Sequence, residues 1–556
     1  MGRVLTPKTN ITTLRKDAKR WLKALRADDA KARARLLAAW PKAPATPGLR
    51  DVQHALALDY GCTGWAALRA AIDDLAIDRN SHAERVDRIL RHGWDGDVVA
   101  ARRIVQKYPQ VARDSLFTAA VCGDLAEVER RLSRDPGGAS QTGGSLNWTA
   151  LAYVTYSRLD SVNAVAIARR LIAAGADTNF QFDDGWGSPF KILTGAVRLG
   201  EGARPSHPQV LELAEVLIGA GAAPYDLQSL YNVSIVGADT DWYDRFWTWC
   251  DAADGLDMWR IAGEGRLGAW KQLSTLDYLL GNAVGQDHHV RAEWLLARGA
   301  NANALNAYTG QPLHALAQLS GYSAMAARLE QHGARPAVLK GIDAFQAACM
   351  RLDEPAARHL ATINPGLSAR PGPLLAAAQQ GYAPVVALLL SLGAPIGGAD
   401  HQGISALHRA VQSGSLETVT MLLAAGADVD LRETRWQGTP LSWACVLKQP
   451  HIAEYLAPLS HDVRALAWFA FLDRLDEVLR AEPDLANHVL ADQESPTPLF
   501  CLPDDETDAA DVARILLSHG ADPSWRNGQG RTPTDVARTK GLDEAADLME
   551  GHSHAA

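Results

Sequence analysis

One phrase returns along this chain at a nearly constant interval, and that recurrence restricts the fold more than any local motif. Two or three large apolar residues, one or two spacers, then Gly-Ala and a closing residue appear as LIAAGAD ending at Asp177, LIGAGAA ending at Ala223 and LLARGAN ending at Asn301. Further copies end at Arg335, Pro395, Asp428 and Asp522. The glycine steps 299 to 333 and 393 to 426 are 34 and 33 residues. A second phrase precedes the first and keeps the same period: QPLHALA (311–317), GPLLAAA (372–378), SALHRAV (405–411), TPLSWAC (439–445), TPLFCL (497–502) and TPTDVA (532–537). Fixed self-similarity at such a period marks an array of identical supersecondary units, none of which buries its faces alone.

The chemistry of one unit predicts its form. In SALHRAVQSGSLETVTMLLAAGADVD, Leu407, Ala410 and Val411 keep helical spacing, and Gly414 ends that helix because it accepts the left-handed conformation cheaply. Val419, Leu422 and Leu423 form the stripe of a second helix, which Gly426 closes. Asp428 to Arg432 then suit a projecting turn. A Thr-Pro opening supplies a capping hydroxyl and a ring whose missing N–H costs nothing at a helix start.

Thr-Pro-Leu-His-like openings, the G-x-x-x-x-V-x-x-L-L run and the closing Gly-Ala-Asp resemble the ankyrin repeat. The best copies are 403–433 and 437–461, with 309–338, 371–400 and 148–182 behind them. LFTAAVCGDLAEVERRL (116–132) and LAWFAFLDRLDEVLRAEPDLAN (466–487) keep the helix pair without the Thr-Pro opening and are assigned as divergent repeats. The resemblance implies an all-α solenoid of stacked helix-turn-helix units with hairpin-like tips and a concave protein-binding surface. It covers residues 80–551 in roughly 12–14 units, several of them degenerate.

Residues 1–79 depart from the pattern. They place Leu14, Ala18, Trp21, Leu22 and Leu25 on one helical face opposite Lys and Arg, and resemble the short helical leader of some bacterial ankyrin arrays. Residues 1–50 hold 13 Lys plus Arg against 3 Asp plus Glu, a balance of +10, so the net charge of −9 leaves −19 on the rest. Two readings follow: a capping subdomain that shields the first repeat, or a basic amphipathic helix contacting anionic lipid, nucleic acid or a partner groove through residues 8–35. The acidic body disfavours nonspecific nucleic-acid binding. Met1-Gly2 with Thr6 also matches a loose myristoylation pattern.

Residues 226–275 depart too, with Trp242, Tyr243, Phe246, Trp247, Trp249, Met258, Trp259 and Trp270 crowded together as either a core or an exposed platform. The step from Gly175 to Gly221 carries a surplus assigned to a surface loop at 198–210. Residues 552–556 are expected to be a disordered tail.

Catalytic and cofactor signatures do not emerge. The six cysteines are scattered without a C-x-x-C pair, which suits reduced thiols in a cytoplasmic protein. His288–His289 and His552-x-His554 lack further ligands at zinc spacing. His314 and His408 read as helix-start hydrogen-bonding residues, and GEGRLGAW (263–270) follows no strand. No apolar run is long enough to span a bilayer, and the opening MGRVLTPKTN lacks a secretory core. The expectation is a monomeric, non-enzymatic scaffold with no catalytic residue, cofactor or metal. Its candidate partner-binding residues are those expected at the tips: Trp186, Tyr308, His401, Arg432, Arg435, Trp436, Trp525 and Arg526. Aromatics and Arg dominate binding hot spots, and the competing reading is that each folds back on its own repeat.

Overall fold

The computed structural model describes residues 3–6, 9–95, 98–159, 162–183, 189–197, 206–262, 272–489 and 495–553. Trp186, Trp270, His554, Met1 and Gly2, the GEGRLGAW segment and most of 198–210 lie outside the described residues. The chain divides into two compact units, one of Met1–Ile72 with Leu339–Ala556 and one of Asp73–Val338. The fold is an all-α solenoid. Its sheet content among the described residues is two antiparallel hairpins of two-residue strands, Thr142–Gly143 with Trp148–Thr149 and Gln181–Phe182 with Phe190–Lys191.

Residues 339–556 are the regular part. The helices Ala406–Ser413 and Leu416–Ala424 form one pair, Pro440–Val446 and Pro450–Leu456 the next. Ser405 and Ser415 cap the first pair, each hydroxyl accepting a backbone N–H three residues on. Between them Gly414 sits at φ +78° in the left-handed region. Thr439 caps the next helix with Pro440 at its first position, as the Thr-Pro opening predicts. Leu407, Ala410, Val411, Val419 and Leu422 are buried, while Leu423 is half-buried. They belong to one apolar core running from Phe345 to Met549, so each pair is covered by its neighbours.

Glycine is not required at the turn between paired helices, whether in the regular unit 437–461 or in the divergent ones. Where Gly414 turns one helix into the next, Leu352, Lys448 and Ala470 take the same left-handed φ, between +56° and +58°, without being glycine. Each accepts a conformational cost on the order of 1 kcal/mol that stacking with neighbours offsets.

The leader builds its own small core. Leu14, Ala18, Trp21, Leu22 and Leu25 of the helix Ile11–Arg26 are buried with Leu36, Val52, Leu56 and Leu68. Trp21 Nε1 donates to the Ala32 carbonyl at 2.9 Å, and the Arg35 guanidinium lies 3.8 Å from its ring centroid. The leader also meets the C-terminal part of its own unit. Its first helix packs on the helix Glu506–Ser518, and Arg20 reaches Asp511 across 3.4 Å.

In the unit Asp73–Val338 the aromatic section is core. Tyr243, Phe246 and Trp259 are buried, Trp242, Trp247 and Trp249 pack against them, and Met258 remains exposed. Arg291, buried to 1% exposure, donates to the carbonyls of Ser234, Val236 and Asp239 at 3.0, 2.9 and 2.7 Å. The three carbonyls supply the hydrogen-bond acceptors that so enclosed a guanidinium requires. It clamps the irregular loop 234–239.

Candidate interaction surface at the projecting turns

Four projecting turns are each organised by one polar side chain that folds back on the backbone. Asp400 accepts N–H bonds from Gln402 and Ile404 at 2.8 and 3.0 Å. Asn527 accepts from Gln529 and Arg531 at 3.0 Å each, and Asn306 from Tyr308 and Thr309 at 3.0 Å each. In the turn before Pro440–Val446 this place is taken by Glu433, 1% exposed, whose carboxylate accepts from Arg435, Trp436 and Gly438 at 2.6, 2.9 and 3.0 Å.

Asp400 and Asn527 stand five residues before their helix caps, Ser405 and Thr532, whereas Glu433 stands six before Thr439. The spacing to the helix cap varies among these turns without fixing the residue, since Asn306 stands six residues before its cap Pro312. Burial pushes the Asp400 carboxyl up, but the N–H groups of Ile404 and Gln402 and the nearby Arg409 guanidinium outweigh it and hold it below the ordinary carboxylate range.

The Glu433 turn brings three of the sequence-selected residues together. Trp436 is 67% exposed, and the Arg435 guanidinium lies 4.5 Å from its ring centroid. Arg432 is directed inward: it donates to the Gln437 carbonyl at 2.7 Å and to Asp462 at 2.6 Å. Neighbouring turns are laced together, since Thr434 donates both its N–H and its hydroxyl to the Gln402 carbonyl, at 2.8 and 3.0 Å. His401 is exposed beside Gln402.

Trp525 is 38% exposed on the last such turn, where Arg526 donates to the Gly530 carbonyl at 2.7 Å. Tyr308, 64% exposed, shares a 2.7 Å hydroxyl hydrogen bond with Tyr278. Trp186 is outside the described residues.

The two helix-opening histidines are structural. His408 is fully buried, with Nδ1 2.9 Å from the Ser405 hydroxyl and Nε2 3.1 Å from the Gly438 carbonyl, and burial lowers its pKa. His314 uses Nδ1 to accept from the Ala337 N–H. Among the described residues no three His, Cys, Asp or Glu side chains gather to hold a metal, and no helix is long and apolar enough to cross a membrane.

Sequence reasoning missed Glu433, Asp400, Asn306 and Asn527. The signal was present as a lone Asp, Asn or Glu five or six residues ahead of each helix opening. Composition alone reads such residues as ordinary solvated turn polarity.

Comparison with known proteins agrees with this architecture. Residues 345–433 and 374–467 match the family model of ankyrin repeats, present in three copies. Residues 345–467 are ankyrin repeats. Over 191 residues it is 27% identical to YahD of Escherichia coli (strain K12), which is named as an ankyrin repeat protein; the match spans 32% of this chain and 94% of YahD. Over 61 residues it is 51% identical to protein phosphatase 1 regulatory subunit 27 of Mus musculus and 49% to that of Homo sapiens. That matched segment is 11% of this chain and 38% of the length of either subunit. A chain from the complex of a Bdellovibrio bacteriovorus predatory endopeptidase with its immunity protein aligns over 32% of this chain and 96% of its own, at 24% identity and a TM-score of 0.25.

Proposed function

We propose that this protein is a non-enzymatic, cytoplasmic scaffold or adaptor that acts as a monomer and binds a protein partner through its projecting turns. The observation that carries the reading is Trp436, 67% exposed on a turn whose backbone is held by a buried carboxylate. A large aromatic already fixed in place loses little entropy on binding, which is the property of an interface anchor. His401, Trp525 with Arg526, and Tyr308 offer further contacts of the same kind. Six free, widely spaced cysteines suit a reducing compartment. Similarity to regulatory subunits of a phosphatase supports a role exercised through another protein.

The test is a pull-down from the native cell with the double variant Arg435→Ala, Trp436→Ala. The partner is lost while the helical circular dichroism signal is unchanged. Retention of every partner by the variant would overturn the assignment to this turn.

The alternative, a membrane or nucleic-acid tether through residues 8–35, is less well supported. The apolar stripe that a lipid anchor inserts is buried in the leader's own core.

A further inference from the structure

The leader's cations fall into two sets. Arg3 and Arg35 pair with Asp17 and Asp59, and Arg20 pairs with Asp511. Arg15, Lys19, Lys23 and Arg26 on the first helix, and Lys31 on the second, are exposed and form no ion pair among the described residues. Arg15, Lys19 and Lys23 stand four residues apart, one above another on the solvent face, with Arg26 three residues beyond.

Lys23 and Arg26 complement the negative end of the helix dipole. Arg15 and Lys19 lie too far toward the N-terminus to gain from it, so helix stability does not account for the row.

We propose that this face is a docking strip for a short acidic helical segment of a protein partner. The helix is about 24 Å long and its row of charges repeats at about 6 Å, the spacing that Asp or Glu at i and i+4 presents on a facing helix. The buried Leu14–Leu25 stripe leaves only charge for recognition. Within the same unit, residues 339–556 hold 16 Lys plus Arg against 28 Asp plus Glu, a balance of −12. A long nucleic acid or a broad anionic bilayer would meet more of that acidic charge than a segment matched to the strip in length, which meets the cations of the helix with Asp28 and Asp29 at their end. The strip lies outside the projecting turns, so it stands independently of the surface around Trp436.

The test uses the full chain and fluorescence anisotropy or co-sedimentation with three probes. These are a labelled helical peptide of about 20 residues with Glu at every i, i+4 position, a DNA duplex of similar charge, and phosphatidylcholine vesicles containing phosphatidylserine. The peptide binds saturably, and binding weakens as salt rises from about 0.05 M to about 0.3 M. Lys19→Glu with Lys23→Glu weakens it by at least about tenfold, and Lys19→Ala with Lys23→Ala weakens it less, at unchanged circular dichroism. Arg435→Ala with Trp436→Ala leaves it unchanged, which separates this strip from the turn surface. Absence of saturable peptide binding, indifference to both Lys19/Lys23 variants, or tighter binding of the duplex or vesicles would overturn the proposal.

Discussion

Arg432 and Asp462 join consecutive repeats through a 2.6 Å contact in which the aspartate side chain is 2% exposed. The same carboxylate accepts the Thr439 hydroxyl at 2.9 Å and the N–H groups of Arg464 and Ala465 at 3.2 and 3.3 Å. One side chain therefore caps the helix Val463–Trp468, anchors the cap of the previous inner helix and neutralises the arginine. Two consecutive repeats are thereby tied through one partnered side chain.

Arg432→Ala leaves that carboxylate buried with only neutral donors. The expected loss is about 2–3 kcal/mol of stability, larger than for a surface ion pair. Urea unfolding of the full chain checks this, and a double-mutant cycle with Asp462→Ala returns a coupling energy distinguishable from zero. A loss under about 0.5 kcal/mol would show that Asp462 is sustained by its neutral donors alone.

Glu433→Ala strands three backbone N–H groups in a turn with no alternative acceptor. A destabilisation of about 1–3 kcal/mol is expected, with faster hydrogen exchange at Arg435, Trp436 and Gly438. Glu433→Asp is expected to rescue poorly, because the shorter side chain of Asn306, in a turn of the same length, holds two backbone N–H groups where Glu433 holds three. Equal stability of the aspartate variant and the parent would contradict this expectation.

His207, 1% exposed, has its pKa pushed down to about 4, chiefly by burial and secondarily by Arg158. Below the ordinary value of 6.5 the unfolded chain takes up a proton that the folded chain refuses. Its stabilising contribution is therefore complete above 6.5 and declines as pH falls toward 4. The decline amounts to about 2–3 kcal/mol across that window. His207→Gln flattens this slope in stability measured against pH; an unchanged slope would place the acid sensitivity elsewhere.

Two adjacent leader residues separate packing from charge. Trp21→Ala removes a buried ring and its hydrogen bond to Ala32 and costs about 3–5 kcal/mol. Arg20→Ala removes an ion pair whose arginine is 54% exposed and costs under about 1 kcal/mol. Thermal melting followed by far-ultraviolet circular dichroism ranks the two. The reverse order would mean that the leader is held by its ionic contact with Asp511 and not by its core.

The repeat was legible because its signals are local. Glycine at 414, threonine and proline at 439 and 440, and the stripe through Leu407 and Val411 each state a backbone or burial requirement within one helix pair. Even the divergent unit at 463–481 was readable, since a helix pair survives with Ala470 in the left-handed position when its neighbours supply the stability.

The apolar face of Leu14 to Leu25, with Trp21 on it, also followed from periodicity, but its burial in a core did not. Spacing cannot say which helix a face meets, and the stripe alone suited a membrane as well as a core.

What the sequence determined by itself is the repeating unit, its period and the helix starts and stops set by Thr-Pro and Gly. Only the tertiary structure decided that the leader's first helix rests on Glu506–Ser518, that Tyr243, Phe246 and Trp259 fill a core, and that Arg432 turns inward to Asp462 while Trp436 stays in solvent. The reason is physical: helix starts and stops are set by residues within a turn of one another. The partner of a buried face or charge lies tens to hundreds of residues away, where periodicity carries no register.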